Sequence, residues 1–177
     1  MHYKIADYHL RKPESSDTEP LRIQKNDPEV AEMLGGFRTG YSRDDIADWI
    51  AFHRKCADEV LWVIADGNDV AVGHVGLYKI DFRVRSAEFA IMIGAGAQGR
   101  GLGRACSRFM LTYGFEELNL NRVYLEVLDS NERAQHLYRT LGFSEEGRLR
   151  QAQYKAGRYH DVVLMGLLRQ EFKRDDE

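Results

Sequence analysis

Apolar residues along this chain recur with two different spacings, and the changes of spacing mark where helices and strands exchange. The first 60 residues carry the weaker pattern. Residues 8 to 12 fit a short first strand, and Pro13 to Pro20 reads as a polar loop. Asp27-Pro28 puts a proline just inside a helix start, and Val30, Met33 and Leu34 give that helix an apolar stripe that ends at Gly35-Gly36. A second helix follows Ser42, with Ile46, Trp49, Ile50 and His53 at three- and four-residue steps and Asp45 placed for a reciprocal cap with Ser42.

From residue 60 strand patterns take over. Val60 to Ala65 is a short apolar run closed by the turn residues Asp66-Gly67-Asn68-Asp69. Val70 to Ile80 and Ala87 to Ile93 continue it as an antiparallel meander, in which Glu88 projects from the face opposite Phe89. Leu102, Ala105, Cys106, Phe109, Met110 and Tyr113 then form the strongest amphipathic helix stripe of the chain. Val123 to Leu128 is another strand. Asp129-Ser130-Asn131-Glu132 opens a helix with Ala134, Leu137, Tyr138 and Leu141 on one face, and Gly142 follows as its left-handed cap. Phe143 to Tyr154 and His160 to Leu168 supply two further strands before the polar tail Lys173 to Glu177. No internal repeat interrupts this order.

At 177 residues the chain has the size of one domain, with a core expected over about residues 8 to 170. Its 25 Lys and Arg against 28 Asp and Glu give a net charge of −3, so no global basic field draws it to nucleic acid or anionic lipid. Cys56 and Cys106 lie far apart outside any CxxC pattern, which suits a reducing compartment, and the cytoplasm is expected. The first residues lack the apolar core of a leader, and no run reaches the roughly 18 apolar residues of a membrane span.

The segment between the third meander strand and the amphipathic helix carries the chemistry. Gly94-x-Gly96-x-x-Gly99 has the dinucleotide spacing but follows a meander, and Glu126 lies later than a ribose-binding acid would. Gly94 and Gly99 also have phosphate-loop spacing, yet Arg100-Gly101 stands where that loop needs Lys and then Ser or Thr. Gln98-x-x-Gly101-x-Gly103 opens a helix, where small residues let backbone N–H groups and the helix dipole meet a phosphate. Arg100, Arg104 and Arg108 add a local cationic patch there, although a purely structural strand-to-helix turn uses glycines too.

A second segment, Asn131-Glu132-Arg133-Ala134-Gln135-His136-Leu137-Tyr138-Arg139-Thr140-Leu141-Gly142-Phe143, has the form Asn-x-x-Ala-x-x-Leu-Tyr-x-x-x-Gly-Phe. In their order and spacing the two segments resemble the pyrophosphate loop and later motif of the GNAT superfamily of N-acetyltransferases. Glu146 to Arg150 and Gly157 to Asp161 look like its RimJ/RimL branch, related to amino-sugar and polyamine acetyltransferases. Ala90 departs from the glycine common in that branch after Glu-Phe.

The resemblance implies a GNAT fold: a mixed α/β, mostly antiparallel sheet of six or seven strands, splayed between the fourth and fifth, with helices on both faces. It implies acetyl-CoA as cosubstrate without a metal, and direct attack by a primary amine, with no covalent enzyme intermediate. The acceptor is a small-molecule amine (amino sugar, polyamine or amino acid) or a protein N-terminus, and self-association as a homodimer stays open. Tyr138 is implied as the acid that protonates the leaving thiolate, and Glu88, with Glu126 in reserve, as the base that frees the amine. Met92, Ile93, Gln98, Gly99, Arg100, Gly101, Leu102, Gly103, Arg104, Asn131 and Arg133 are implied as coenzyme A contacts. A backbone N–H near Met92 or Ile93 would polarise the thioester oxygen. Two rivals stand beside this reading: a non-catalytic acyl-CoA sensor, and a nucleotide-binding regulator using Gly94 to Gly99. His74, His136 and His53-x-x-Cys56 show no metal spacing, and no Gly-x-Ser-x-Gly elbow supports hydrolysis.

Overall fold

The computed structural model describes residues 3–35 and 39–173. Residues 36–38 lie outside the described residues, as does the end of the polar tail.

The sheet begins earlier than the sequence suggests. Strands β1 (Tyr3–Ile5) and β2 (Tyr8–Arg11) form a hairpin, and β2 continues into the meander of β3 (Val60–Ala65), β4 (Ala71–Asp81) and β5 (Ser86–Ile93). After β6 (Arg122–Leu128), the hairpin of β7 (Ser144–Lys155) and β8 (Arg158–Leu168) completes an eight-stranded sheet of order β1-β2-β3-β4-β5-β6-β8-β7. The expected count of six or seven is corrected to eight, because β1 borrows its partner from β2 and carries too few residues to show a period.

A larger correction concerns the segment read as a polar loop. Helix α1 (Thr18–Asn26) occupies the end of it, with Pro20 in the first turn, where a missing N–H costs nothing. Only Leu21 of α1 is fully buried, so the helix has almost no stripe to detect. A 3-10 turn at Ser15–Asp17 leads into it. There the Asp17 carboxylate accepts both terminal nitrogens of Arg11 at 2.8 Å, and both side chains are buried. Removing Arg11 would leave the Asp17 carboxylate buried without its cation, a loss of about 3–5 kcal/mol, whereas Arg11 without Asp17 would keep its pair with Asp69. Helix α2 (Pro28–Met33) follows with Asp27 as its cap, and α3 (Arg43–Lys55) shows the expected Ser42–Asp45 capping box.

Helices α1 to α3 cover one face of the sheet over a small core that includes Leu21, Ile46, Ile50, Val63 and Met92. Helices α4 (Leu102–Glu116) and α5 (Glu132–Thr140) cover the other over a larger core. On α4 the fully buried positions are Leu102, Cys106, Ser107, Met110, Leu111, Gly114 and Phe115, while Ala105 is exposed and Phe109 and Tyr113 are half-buried. The buried face is therefore rotated from the expected stripe toward Ser107 and Leu111.

All neighbouring strands are antiparallel except β5 and β6, which α4 connects as the crossover that a parallel pair requires. That pair is short, joining only Ser86 to Arg122, Ala87 to Val123 and Glu88 to Tyr124. Beyond Glu88 the two strands part, β5 staying with β4 and β6 with β8. The expected splay is present between these two strands, which are the fifth and sixth once β1 is counted.

Candidate active site

The splay opens a cleft of about 1150 Å³ between β5 and β6. Its floor is the edge of β5 from Glu88 to Ile93, and its sides are the loop before α4, the start of α5 and helix α2. Past Glu88 this edge of β5 has no strand partner. The Gln98 side-chain amide donates to the Ile93 carbonyl at 2.9 Å, so the peptide edge at Ile93 is turned toward the gap. The Met92 carbonyl instead lies on the β4 side, where a Cβ placed on Gly73 would meet it at 2.3 Å. Of the two residues proposed to polarise the thioester, only Ile93 offers its backbone to the cleft. Met92 contributes its buried side chain.

Gly99 and Gly101 have φ of +78° and +75°, the left-handed region that glycine reaches without a Cβ penalty. Gly101 is the residue before α4, and no side chain caps that helix start. Gly103 stands between Ile93 and Leu137, 3.5 Å from each at the position of an added Cβ, so the backbone there approaches both β5 and α5. Orphan N–H groups and the positive end of the helix dipole therefore face the cleft, an arrangement suited to phosphate.

The cationic patch is built differently from the expectation. Arg104 lines the cleft. Arg108 turns away, donating to the Lys173 carbonyl at 2.6 Å and stacking on Phe172. Arg100 points at the Tyr8 hydroxyl, 3.5 Å away, and Leu102 is buried in the core beneath the loop. Neither side chain lines the cleft. Arg133 does, and its guanidinium donates to Gln98 at 2.8 Å, tying the start of α5 to the loop before α4. Asn131 caps α5 by accepting the Ala134 N–H at 3.1 Å while also lining the cleft, so its structural and binding readings meet in one residue.

Tyr138 lies deeper, 8% exposed, with its ring edge-on to Phe89 at 6.1 Å and against Phe143 at 5.8 Å. Among the described residues none hydrogen-bonds its hydroxyl, and burial pushes the phenol up to about 12. The hydroxyl is thus a permanent donor near neutral pH. Glu88 stands at the point where β5 and β6 part and forms an ion pair with Lys79 at 2.6 Å. The salt-bridged glutamate and the cleft carboxylate are the same group. Glu126 is exposed on β6 and also lines the cleft.

Several lining residues were not legible beforehand. Glu29 and Glu32 of α2, Ser130, His136 and Gln153 all face the cleft. The spacing of Glu29 and Glu32 puts them on one helical face, but nothing in the sequence connects that face with β5. His53 and His74 do not line the cleft: His53 bonds Glu59 at 2.5 Å, and His74 is buried under Trp49. Burial, with Lys25 and His53 nearby, holds His74 down to about 3, so it is neutral.

The acetyltransferase (GNAT) domain model matches residues 8–144, spanning the splay, the glycine loop and Tyr138. The chain belongs to the GNAT acetyltransferase family. Spermidine N(1)-acetyltransferase of Vibrio cholerae is 36% identical over 136 residues, 77% of this chain and 79% of the relative. A putative ribosomal N-acetyltransferase of Bacillus subtilis is 32% identical over 75% of this chain and 72% of its own length. Among solved structures, the Vibrio cholerae spermidine N-acetyltransferase in complex with CoA and spermine superposes with a TM-score of 0.86 at 32% identity, covering 94% of this chain and 98% of that one. The chain is accordingly an acetyl-CoA-dependent N-acetyltransferase, with the fold and cosubstrate expected from its two motifs.

Proposed function

We propose that this enzyme acetylates a terminal primary amine of a polyamine-like polycation, with the acyl donor entering from the α4 side of the cleft. The observation that carries this reading is the charge division along the cleft. Arg104 and Arg133 stand at the glycine-loop end, with Glu132 beside them, whereas Glu29, Glu32, Glu88 and Glu126 line the α2, β5 and β6 side. A polyanion is suited to the first end and an acceptor with several ammonium groups to the second. The similarity to spermidine acetyltransferases supports the same acceptor class.

In this reading the pyrophosphate rests on the backbone of Gln98 to Gly103, and the Ile93 N–H meets the thioester oxygen. Glu88 takes a proton from the acceptor ammonium, and the freed nitrogen attacks the acetyl carbon. The new C–N bond forms as the C–S bond breaks. Tyr138 hydrogen-bonds the departing sulfur and passes it a proton, and the second proton that the nitrogen loses as the amide forms restores the phenol. With its hydroxyl held near 12, Tyr138 is a weaker acid than a free phenol, so its main contribution is the hydrogen bond to developing thiolate charge.

The test compares kcat/KM for spermidine, for butylamine and for a peptide with a free N-terminus. Spermidine should be the best acceptor and should lose its advantage as salt rises, because screening weakens the partly exposed carboxylates. A preference for the peptide would overturn the acceptor and favour a protein N-terminus. Coenzyme A binding with no acetylation of any amine would favour the sensor instead.

A further inference from the structure

Helix α2 is a wall of the acceptor end, yet it has little of its own to hold it there. It is two turns long, and Val30 is its one buried residue. Helices this short are marginal without tertiary support. Asp27 secures the N-terminal end by accepting the N–H groups of Glu29 and Val30. The other end is secured from a distant part of the chain. Lys155, 6% exposed at the end of β7, donates its ammonium to the Ala31 carbonyl at 2.7 Å and to the Leu34 carbonyl. A buried ammonium needs acceptors, and the last carbonyls of a helix are unsatisfied acceptors at the negative end of its dipole. Each satisfies the other.

The β7–β8 hairpin is shaped to deliver this ammonium. Leu149 pairs with Val162 and Gln153 with His160, so β7 carries excess chain as a bulge between them. Gln151 in that bulge has φ of +52°, and its N–H donates to the Asp161 carboxylate at 2.8 Å. Bulges of this kind commonly re-aim a strand beside a site. Beyond it, Ala156 and Gly157 both have positive φ, as a tight two-residue hairpin turn requires, and Tyr154 and Tyr159 stack edge-on at 5.0 Å. The turn, the bulge contact and the tyrosine pair brace the hairpin end where it meets α2.

We propose that Lys155 is a positioning residue that pins helix α2 as the acceptor-side wall and so sets the range of acceptors. The statement about acceptors rests on the polycation reading above. Pinning keeps Glu29 and Glu32 over the cleft, where a long polycation reaches them and a short monoamine does not.

The test is Lys155→Met, which keeps the length of the side chain and removes its donors. Amide exchange within α2 should accelerate at least tenfold. KM for spermidine should rise about tenfold, equivalent to roughly 1.4 kcal/mol of binding. Turnover, KM for butylamine and the coenzyme A thermal shift should hold, and Lys155→Arg should restore part of the loss. If Lys155→Met does not fold, Asp161→Ala, which releases the bulge and an exposed ion pair with Arg148, should give the same changes at smaller size, and Arg148→Ala, which removes the ion pair alone, should not. Unchanged α2 exchange in a folded variant, or an equal rise in KM for butylamine, would overturn the proposal. Failure of the polycation reading shows separately, as equal KM values for spermidine and butylamine in the wild type, and the exchange measurement still decides the pin.

Discussion

Tyr138→Phe separates chemistry from packing more cleanly than any other substitution in the cleft. No described residue hydrogen-bonds the hydroxyl, so its removal strands no partner, and the ring keeps its contacts with Phe89 and Phe143. Burying a phenyl ring where a phenol stood is close to neutral when nothing is left unpaired. The melting temperature should change by no more than about 2 °C, corresponding to less than about 1 kcal/mol for a chain of this size. The coenzyme A thermal shift should be retained. Turnover should fall on the order of 10²-fold, the lower range for a positioned proton donor and equivalent to about 2.7 kcal/mol of barrier. The assay is released thiol under saturating acetyl-CoA and acceptor, with pre-steady-state mixing to confirm that the chemical step is the one slowed. The wild-type pH profile supplies a second reading. With the phenol held near 12, turnover should show no falling limb from Tyr138 below about pH 11. Wild-type turnover in Tyr138→Phe would reduce Tyr138 to a core aromatic.

Three further outcomes follow from the same geometry. Glu88→Gln should be poor near pH 7 and recover toward wild type near about pH 9.5, where solution itself frees the amine; a defect equal at every pH would make Glu88 a binding carboxylate, and no defect would move the role to Glu126. Coenzyme A at 100 Kd should add about 2.7 kcal/mol to stability, and Gly101→Asp should abolish that shift while Gly101→Ala, which meets the same backbone strain at φ +75° without the charge, keeps it; an undiminished shift in Gly101→Asp would place the pyrophosphate elsewhere. His74 stays neutral in the fold down to about pH 3 but takes up a proton near 6.5 once unfolded, so its contribution is complete above 6.5 and is lost as pH falls, reaching about 2 kcal/mol at pH 5. Chemical denaturation of wild type and His74→Gln at pH 7.5 and pH 5 checks this, and equal acid sensitivity in both would refute it.

What the sequence disclosed divides along physical lines. Strands β3 to β6 and helices α3 to α5 were legible because each spans enough residues to repeat its period and ends in a cap or turn of recognisable chemistry, such as Ser42–Asp45 or Asn131. Helix α1 was hidden because it buries one leucine, and β1 because its three residues depend on a partner further along the chain. At the site, the glycine loop and the Asn131 to Phe143 segment were legible because backbone conformation and capping restrict which residues can stand there. The direction of the arginines was not. Arg100 and Arg108 find partners in Tyr8 and Lys173, contacts between segments far apart in sequence, and Arg133 reaches Gln98 only across the splay. The acceptor wall was hidden for the same reason, since Glu29 and Glu32 reach the cleft through a helix whose end is tied to Lys155.

The acidic side of the cleft is proposed to present an amine of a polycation to the thioester held by the glycine loop. Mass spectrometry of spermidine incubated with acetyl-CoA and the enzyme, with thiol release followed in the same sample, tests it directly. The expected product is spermidine carrying one acetyl group on a terminal nitrogen, formed in equal amount to the free thiol and abolished in Gly101→Asp. Thiol release without acetylated spermidine, or acetylated spermidine undiminished in Gly101→Asp, would contradict it.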